Sequence, residues 1–478
     1  MENISKQLIS GVLYSAVAKY SSIIISLVVT AVLSRLLLPS DFGVVAIASI
    51  IIAFFSIFSD IGIGPAIIQS ISLQKSDLDS IFTLTILLGT VLAVLFFCSA
   101  SFIGRFYSSA VLTNICMILS ISIFFSSINI VPNALLLKEK RFKFIAQRTF
   151  FIQLVSGCLS VFAAYIGWSI YALLVAPVLS SIIQFIINYI QYPLKLVRIT
   201  QKSILKIYSF SLYQFLFNVI NYFNRNLDKL LIGKSLSMVD LGYYEKSYRL
   251  MMLPISNISY VITPVMHPVF SEMQNNKDRL HQYFLRITKL FSFIGFPLSI
   301  FLYYISKELI LLIYGSQWEN AISVFAILSL SVGVQIVSSI TVSFYQSLNK
   351  TKLLFRTVVV STLISVVCLC IGVFYYATMD SIAYAVLIGF CFNFVVSFYC
   401  LLTLAFKCSV FSFVLQVYEA LLLSIVIAIV LYCISFIHIE QLIYSLFIKF
   451  AIFGLLYLIG LFSFGIIGFE TKKLRLRL

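Results

Sequence analysis

The chain has 478 residues, 61% hydrophobic and 10% charged, with a mean hydropathy of +1.07. No soluble globular domain has that balance, and no hydrophilic stretch is long enough to build one, so the composition defines an all-α polytopic membrane protein. The formal net charge of +16 would suit nucleic acid only on a basic, aromatic-studded soluble domain, and there is none to host it.

Six membrane-spanning helices are predicted near residues 11–34, 42–68, 79–103, 111–131, 146–166 and 168–191. Each approaches or exceeds the roughly 20 residues that cross about 30 Å of hydrocarbon. Segments 207–233, 241–269, 283–305, 320–346, 357–376 and 381–406 predict six more, and 412–436 and 442–468 a final pair, about fourteen in all. One lysine precedes an apolar stretch too long for a signal-peptide core, which predicts a retained first helix. With both termini on one face, 23 of the 33 Lys and Arg residues fall on that face, six on the other and four within spans. The positive-inside rule then places both termini in the cytoplasm.

An internal repeat runs at an offset of 199 residues: Arg35, Leu37, Asp41, Gly43 and Pro65 superpose on Lys234, Leu236, Asp240, Gly242 and Pro264. Each set follows the first helix of a group of six. An even number of helices keeps both copies in the same orientation, so the expected lobes, 1–192 and 207–406, are related by a pseudo-two-fold along the membrane normal. Residues 412–468 add two helices that repeat nothing and could pack on a lobe, hold a lipid tail or meet a partner. Residues 469–478 form a basic cytoplasmic tail.

The chemistry-bearing residues sit inside otherwise apolar spans. In the first, Ser15, Lys19, Ser22, Ser26 and Thr30 share an arc of about 80° at roughly 100° per residue. Lys19 either snorkels to the cytoplasmic edge or faces a cavity between the lobes. In the second span Asp60 could pair with Lys19, hold a coupling ion or fix two helices together, and the Gly and Pro residues after it permit a bend. The seventh span carries Gln214, Asn218, Asn221, Arg225 and Asp228 on one flank, again within about 80°. Arg225 and Asp228 are three apart and can pair, with Lys229 as an interfacial anchor, but the amides along the same flank need partners that a hydrated cavity supplies. Arginine and lysine in such a cavity suit an anion, phosphate above all.

Catalytic signatures are absent. Gly233, Lys234 and Ser235 mimic the end of a phosphate-binding loop, but the first glycine of that motif would fall at Asp228, within a span. Three histidines are scattered without metal spacing, and nine cysteines lie mostly in predicted helices with no Cys-x-x-Cys. No metal or cofactor is expected.

The runs Leu33–Gly43 (LSRLLLPSDFG), Phe58–Gln69 (FSDIGIGPAIIQ), Asn224–Gly233 (NRNLDKLLIG) and Pro268–Gln274 (PVFSEMQ), with Asp240, Leu241, Gly242, Tyr243 and Pro254, resemble the Wzx-type polysaccharide flippases. These form the polysaccharide transporter branch of the multidrug/oligosaccharidyl-lipid/polysaccharide exporter superfamily, and the chain looks nearest to the lipopolysaccharide and colanic-acid exporter subgroup. The resemblance implies fourteen helices, a central cavity and alternating access driven by an ion gradient, of sodium or protons, or by the membrane potential. It implies an undecaprenyl-diphosphate-linked oligosaccharide as substrate, flipped outward across a bacterial inner membrane, with polysaccharide polymerase and glycosyltransferases as pathway partners. The family's central cations map onto Lys19 and Arg225 and its acidic position onto Asp60. Arg35 and Asp41 match its loop motif, as a gate or as a structural turn, and Lys234 and Asp240 are their repeat counterparts. The first lobe departs from the pattern, with Ser26 at the position equivalent to Arg225. Two competing functions are a drug/cation antiporter, which would want acidic residues deep in the cavity, and a membrane polymerase or ligase, which would want a sizeable catalytic outer loop.

Overall fold

The computed structural model describes residues 2–60, 62–70, 73–200, 219, 222–223, 225–271, 276–437, 439, 441–470 and 473–476. Contacts divide the chain into two compact units, Met1–Gly242 and Tyr243–Leu478. That division falls after the seventh span, whereas the division read from the repeat falls before it.

In the first unit the chain runs through α1 (Glu2–Leu36), α2 (Pro39–Asp60), α3 (Ile63–Gln69), α4 (Lys75–Phe106), α5 (Ala110–Ile128), α6 (Ile130–Lys138), α7 (Phe142–Tyr165), α8 (Ala172–Gln191) and α9 (225–235). The expected second span, 42–68, is broken where Gly62 takes φ +75°, a left-handed turn that ends α2 and starts α3. The expected loop 132–145 is shorter than the polar residues suggested, because α6 continues to Lys138. Small residues set the closest helix packing. A Cβ on Gly157 of α7 would meet Val29 of α1 at 2.7 Å, so these two helices lie flush. A buried cluster of Ile67, Ile81, Val131 and Ala134 joins α3, α4 and α6.

The second unit contains α10 (Met238–Ser271, beginning in the first unit), α11 (Lys277–Tyr304), α12 (Ser306–Tyr314), α13 (Ala321–Ser329), α14 (Ser331–Ser338), α15 (Thr341–Ser347), α16 (Thr351–Ile371), α17 (Met379–Cys400), α18 (Val410–Ser435) and α19 (Leu442–Ser463). The expected span 320–346 is bent by 40° within the run Ala321–Ser347. Both added helices pack inside this unit. Ala420, Ile427 and Leu431 of α18 share a core with Phe293 and Phe301 of α11 and Leu461 of α19. At the C-terminal end, β1 (Ile467–Glu470) pairs antiparallel with β2 (Lys473–Leu476).

Among the described residues, eleven helices are long and apolar enough to cross a membrane, or twelve if the bent pair is one span. The protein is therefore a multi-pass, all-helical membrane protein apart from that terminal ribbon. The expected span 207–233 falls largely outside the described residues, and 241–269 lies within the continuous helix α10.

Candidate functional site

α1 has two chemically distinct faces. Val17, Tyr20, Ile24 and Val28, three or four residues apart, are all exposed and form one apolar stripe. Lys19 lies roughly 145° around the helix from the centre of that stripe at about 100° per residue. Its half-buried side chain therefore belongs to the polar face, with Ser22 and Ser26, and not to the surface offered to acyl chains. α7 covers part of that polar face, where Gln153 Nε2 donates to the Ser22 carbonyl at 3.0 Å.

Of the seventh-span flank, Gln214, Asn218 and Asn221 lie outside the described residues. Arg225 is exposed, while Asp228 and Lys229 are buried at 7% and 8% exposure. Lys229 is thus an interior cation and not the interfacial anchor that its place near the end of the span suggested. The segment is held to α2: the Tyr222 hydroxyl donates to the Ile50 carbonyl at 3.1 Å, and Phe54 packs against Tyr222 with ring centroids 5.2 Å apart. At Gly233 an added Cβ would strike Ile47 at 2.6 Å, so α9 lies hard against α2 at that point.

Asp60 is the last residue of α2, and its Oδ1 accepts the Gly64 N–H at 3.0 Å. Of the three roles open to it from sequence, the geometry supplies the structural one directly, since the carboxylate bridges the break and caps α3.

The two loop motifs are built alike. Asp41 Oδ2 accepts the Leu38 N–H at 3.1 Å, and Asp240 Oδ2 accepts the Ser237 N–H at 3.2 Å and its hydroxyl at 2.6 Å. The Ser237 hydroxyl in turn accepts the Asp240 N–H at 3.1 Å, completing a capping box at the start of α10 that α2 has only in half. The two loop motifs meet through their glycines. A Cβ on Gly43 would stand 1.8 Å from the Met238 carbonyl oxygen, and one on Gly242 would stand 2.0 Å from that of Pro39. No side chain fits between these backbones. Lys234 is anchored, its Nζ donating to the Phe106 carbonyl at 2.6 Å and lying 4.4 Å from the Phe106 ring centre, whereas Arg35 is exposed.

Sequence reasoning missed one buried charge cluster. Lys449 Nζ of α19 lies 2.5 Å from Glu308 Oε1 of α12, the Ser445 hydroxyl donates to the same oxygen at 2.5 Å, and Lys449 also donates to the Tyr304 carbonyl at 2.9 Å. A second pair, Lys289 to Glu419 at 2.6 Å, joins α11 to α18. An acid and a base each stranded in an apolar segment were the available signal. Their separation in sequence hid the match.

The arrangement is a membrane transporter's: many membrane-spanning helices, a first helix with one exposed apolar stripe and one polar face, and a paired turn where the two loop motifs touch. Residues 32–323 match the polysaccharide biosynthesis protein family, and the chain belongs to that family. It is similar to the teichuronic acid biosynthesis protein TuaB of Bacillus subtilis (strain 168), 25% identical over 337 residues that cover 70% of each chain. It is also similar to the lipopolysaccharide biosynthesis protein WzxC of Escherichia coli (strain K12), 26% identical over 336 residues covering 68% of this chain and 67% of that one. Among solved structures, the lipid II flippase MurJ in an inward closed conformation matches 95% of this chain and 98% of its own, with a TM-score of 0.75 and 15% identity. An inward-facing multidrug resistance MATE family transporter matches with a TM-score of 0.60 at 16% identity, covering 84% of this chain and 95% of its own. These likenesses establish the fold.

Proposed function

We propose that the protein flips an undecaprenyl-diphosphate-linked oligosaccharide from the cytoplasmic to the outer leaflet of a bacterial inner membrane by alternating access, with both termini in the cytoplasm. The observation that carries this reading is the placement of Lys19 on the polar face of α1, turned away from the exposed apolar stripe, in a member of a polysaccharide biosynthesis family. The diphosphate is assigned to Lys19 and Arg225, with Gln214, Asn218 and Asn221 lining the path for the sugars. The polyprenyl tail stays in the lipid. Glycosyltransferases supply the substrate, and a polymerase consumes it.

One charge crossing 100 mV is worth about 2.3 kcal/mol, so a diphosphate near −2 gains roughly 5 kcal/mol on leaving a negative-inside cell. The membrane potential therefore favours export. A sodium or proton contribution through Asp60 is a separate proposal, and a change of sodium or pH dependence in Asp60→Asn would support it.

The test is transport of lipid-linked repeat units in cells lacking the gene and rescued by variants. Lys19→Ala and Arg225→Ala should insert normally yet leave the repeat units on the cytoplasmic face. Wild-type export by both variants would overturn the assignment.

A further inference from the structure

Each unit carries a groove between two of its neighbouring helices. In the first it lies between α7 and α8 with a volume of about 430 Å³, and in the second between α16 and α17 with about 500 Å³. The two linings correspond at a constant offset of 210 residues, which matches Ile166 to Tyr376, Trp168 to Thr378, Tyr171 to Ser381 and Leu174 to Tyr384. Each groove opens at a turn with exposed aromatics, Tyr165 and Trp168 in one unit, Tyr375 and Tyr376 in the other. Such residues mark the depth of the lipid headgroups.

The chemistry of the two grooves differs. No charged residue lines the first, and Ile170, 210 residues before Asp380, is buried at 6% exposure. The second has Asp380 as an exposed lining residue, and no Lys, Arg or His lines that groove to neutralise it. Asp380 Oδ1 accepts the Ser323 hydroxyl of α13 at 2.8 Å, while Oδ2 has no partner among the described residues. An acid in the first turn of α17 suits the helix dipole, yet the turn does not require one, since Ile170 holds that place in the first unit. The Tyr384 hydroxyl also makes no hydrogen bond among the described residues, and a phenol can donate to a phosphate oxygen. A carboxylate at headgroup depth favours a cationic partner, and the apolar lining beneath it favours hydrocarbon. A lipid with an ammonium head meets both demands.

We propose that the groove between α16 and α17 is a binding site for an aminophospholipid. Its ammonium group pairs with Asp380 Oδ2, its phosphate accepts from the Tyr384 hydroxyl, and an acyl chain lies along Ile371 and Ile388. The matching groove of the first unit takes acyl chains without selecting a headgroup. The inference goes beyond the transport reading and uses neither Lys19 nor Arg225.

The experiment uses the full chain purified in neutral detergent, with the thermal midpoint followed against phosphatidylethanolamine, phosphatidylglycerol and dodecylammonium in parallel. A saturable rise with phosphatidylethanolamine, well above that with phosphatidylglycerol, is expected. Asp380→Asn keeps an oxygen for the Ser323 hydroxyl and should weaken the phosphatidylethanolamine response about tenfold, the scale of one hydrogen bond to a charged group. Trp168→Ala, in the other groove, should leave that response unchanged. Equal responses to the two phospholipids, or a folded Asp380→Asn protein that responds undiminished, would overturn the proposal. So would a response to dodecylammonium alone, which would give the groove to a free cationic amphiphile. Export by Lys19 and Arg225 variants is a separate measurement, so either reading can fail without the other.

Discussion

Removing the carboxylate of Glu308 should loosen α19 from the second unit. Glu308 and Lys449 are 3% and 8% exposed, with Lys449 Nζ 2.5 Å from Glu308 Oε1. Glu308→Ala leaves the Lys449 ammonium buried with only the Tyr304 carbonyl, and breaking a buried pair from one side costs about 3–5 kcal/mol. Ser445 loses its acceptor in the same step, which adds about 1 kcal/mol. For a unit of this size each kcal/mol moves the thermal midpoint by about 2–4 °C, so a fall of about 10–20 °C is expected. Lys449→Met should fall similarly, but the double variant Glu308→Leu with Lys449→Met should recover most of the loss, since an apolar pair of like volume replaces a buried ion pair at little cost. Thermal unfolding of the full-length protein in neutral detergent gives the four midpoints of the cycle, in which the double variant should lie closer to wild type than either single variant. A Glu308→Ala midpoint equal to wild type, or a double variant as unstable as the singles, would refute the argument.

Three further outcomes follow from the turns. Asp240→Ala should lower stability by about 1 kcal/mol or more and Asp41→Ala by less, because only the first dismantles a reciprocal capping box; thermal midpoints of the two variants give the order. Gly43→Ala and Gly242→Ala each place a methyl group on a backbone carbonyl, so both should lose folded yield and export, whereas Gly454→Ala, with open space around it, should behave as wild type in expression and transport assays. Asp60→Asn keeps an oxygen for the Gly64 N–H and should match wild-type stability, while Asp60→Leu loses about 1 kcal/mol of capping, read again as a shift in midpoint.

The membrane class and most of the spans were legible because hydrocarbon thickness fixes a run length that composition alone reveals. The two-faced character of α1 was legible too, since a 3.6-residue period sorts Ser22 and Ser26 with Lys19 and leaves Val17, Ile24 and Val28 opposite. Breaks were harder. The kink at Gly62 was foreshadowed by its glycines, whereas the bend in Ala321–Ser347 has no proline and is marked only by Ser329, Ser331 and Gly333 around the break. Charges that find partners far away were hardest of all. Glu308 and Lys449 lie on helices separated by most of the second unit's sequence, and Arg148 looked like one more basic loop residue until α7, beginning at Phe142, carried it into contact with Asn188 of α8. Lys229 was misread for the same reason, because distance from the end of a span does not tell whether another helix lies over it.

The seam between Gly43 and Gly242 is made of bare peptide on both sides. Apolar side chains pulled apart would leave oily surface facing water, at about 25 cal/mol for every Å² uncovered. Peptide groups pulled apart are simply hydrated. A joint of this kind is held by the fit of one backbone against another and not by buried oily area, so a single added methyl group disturbs it more than a change in the surrounding solvent.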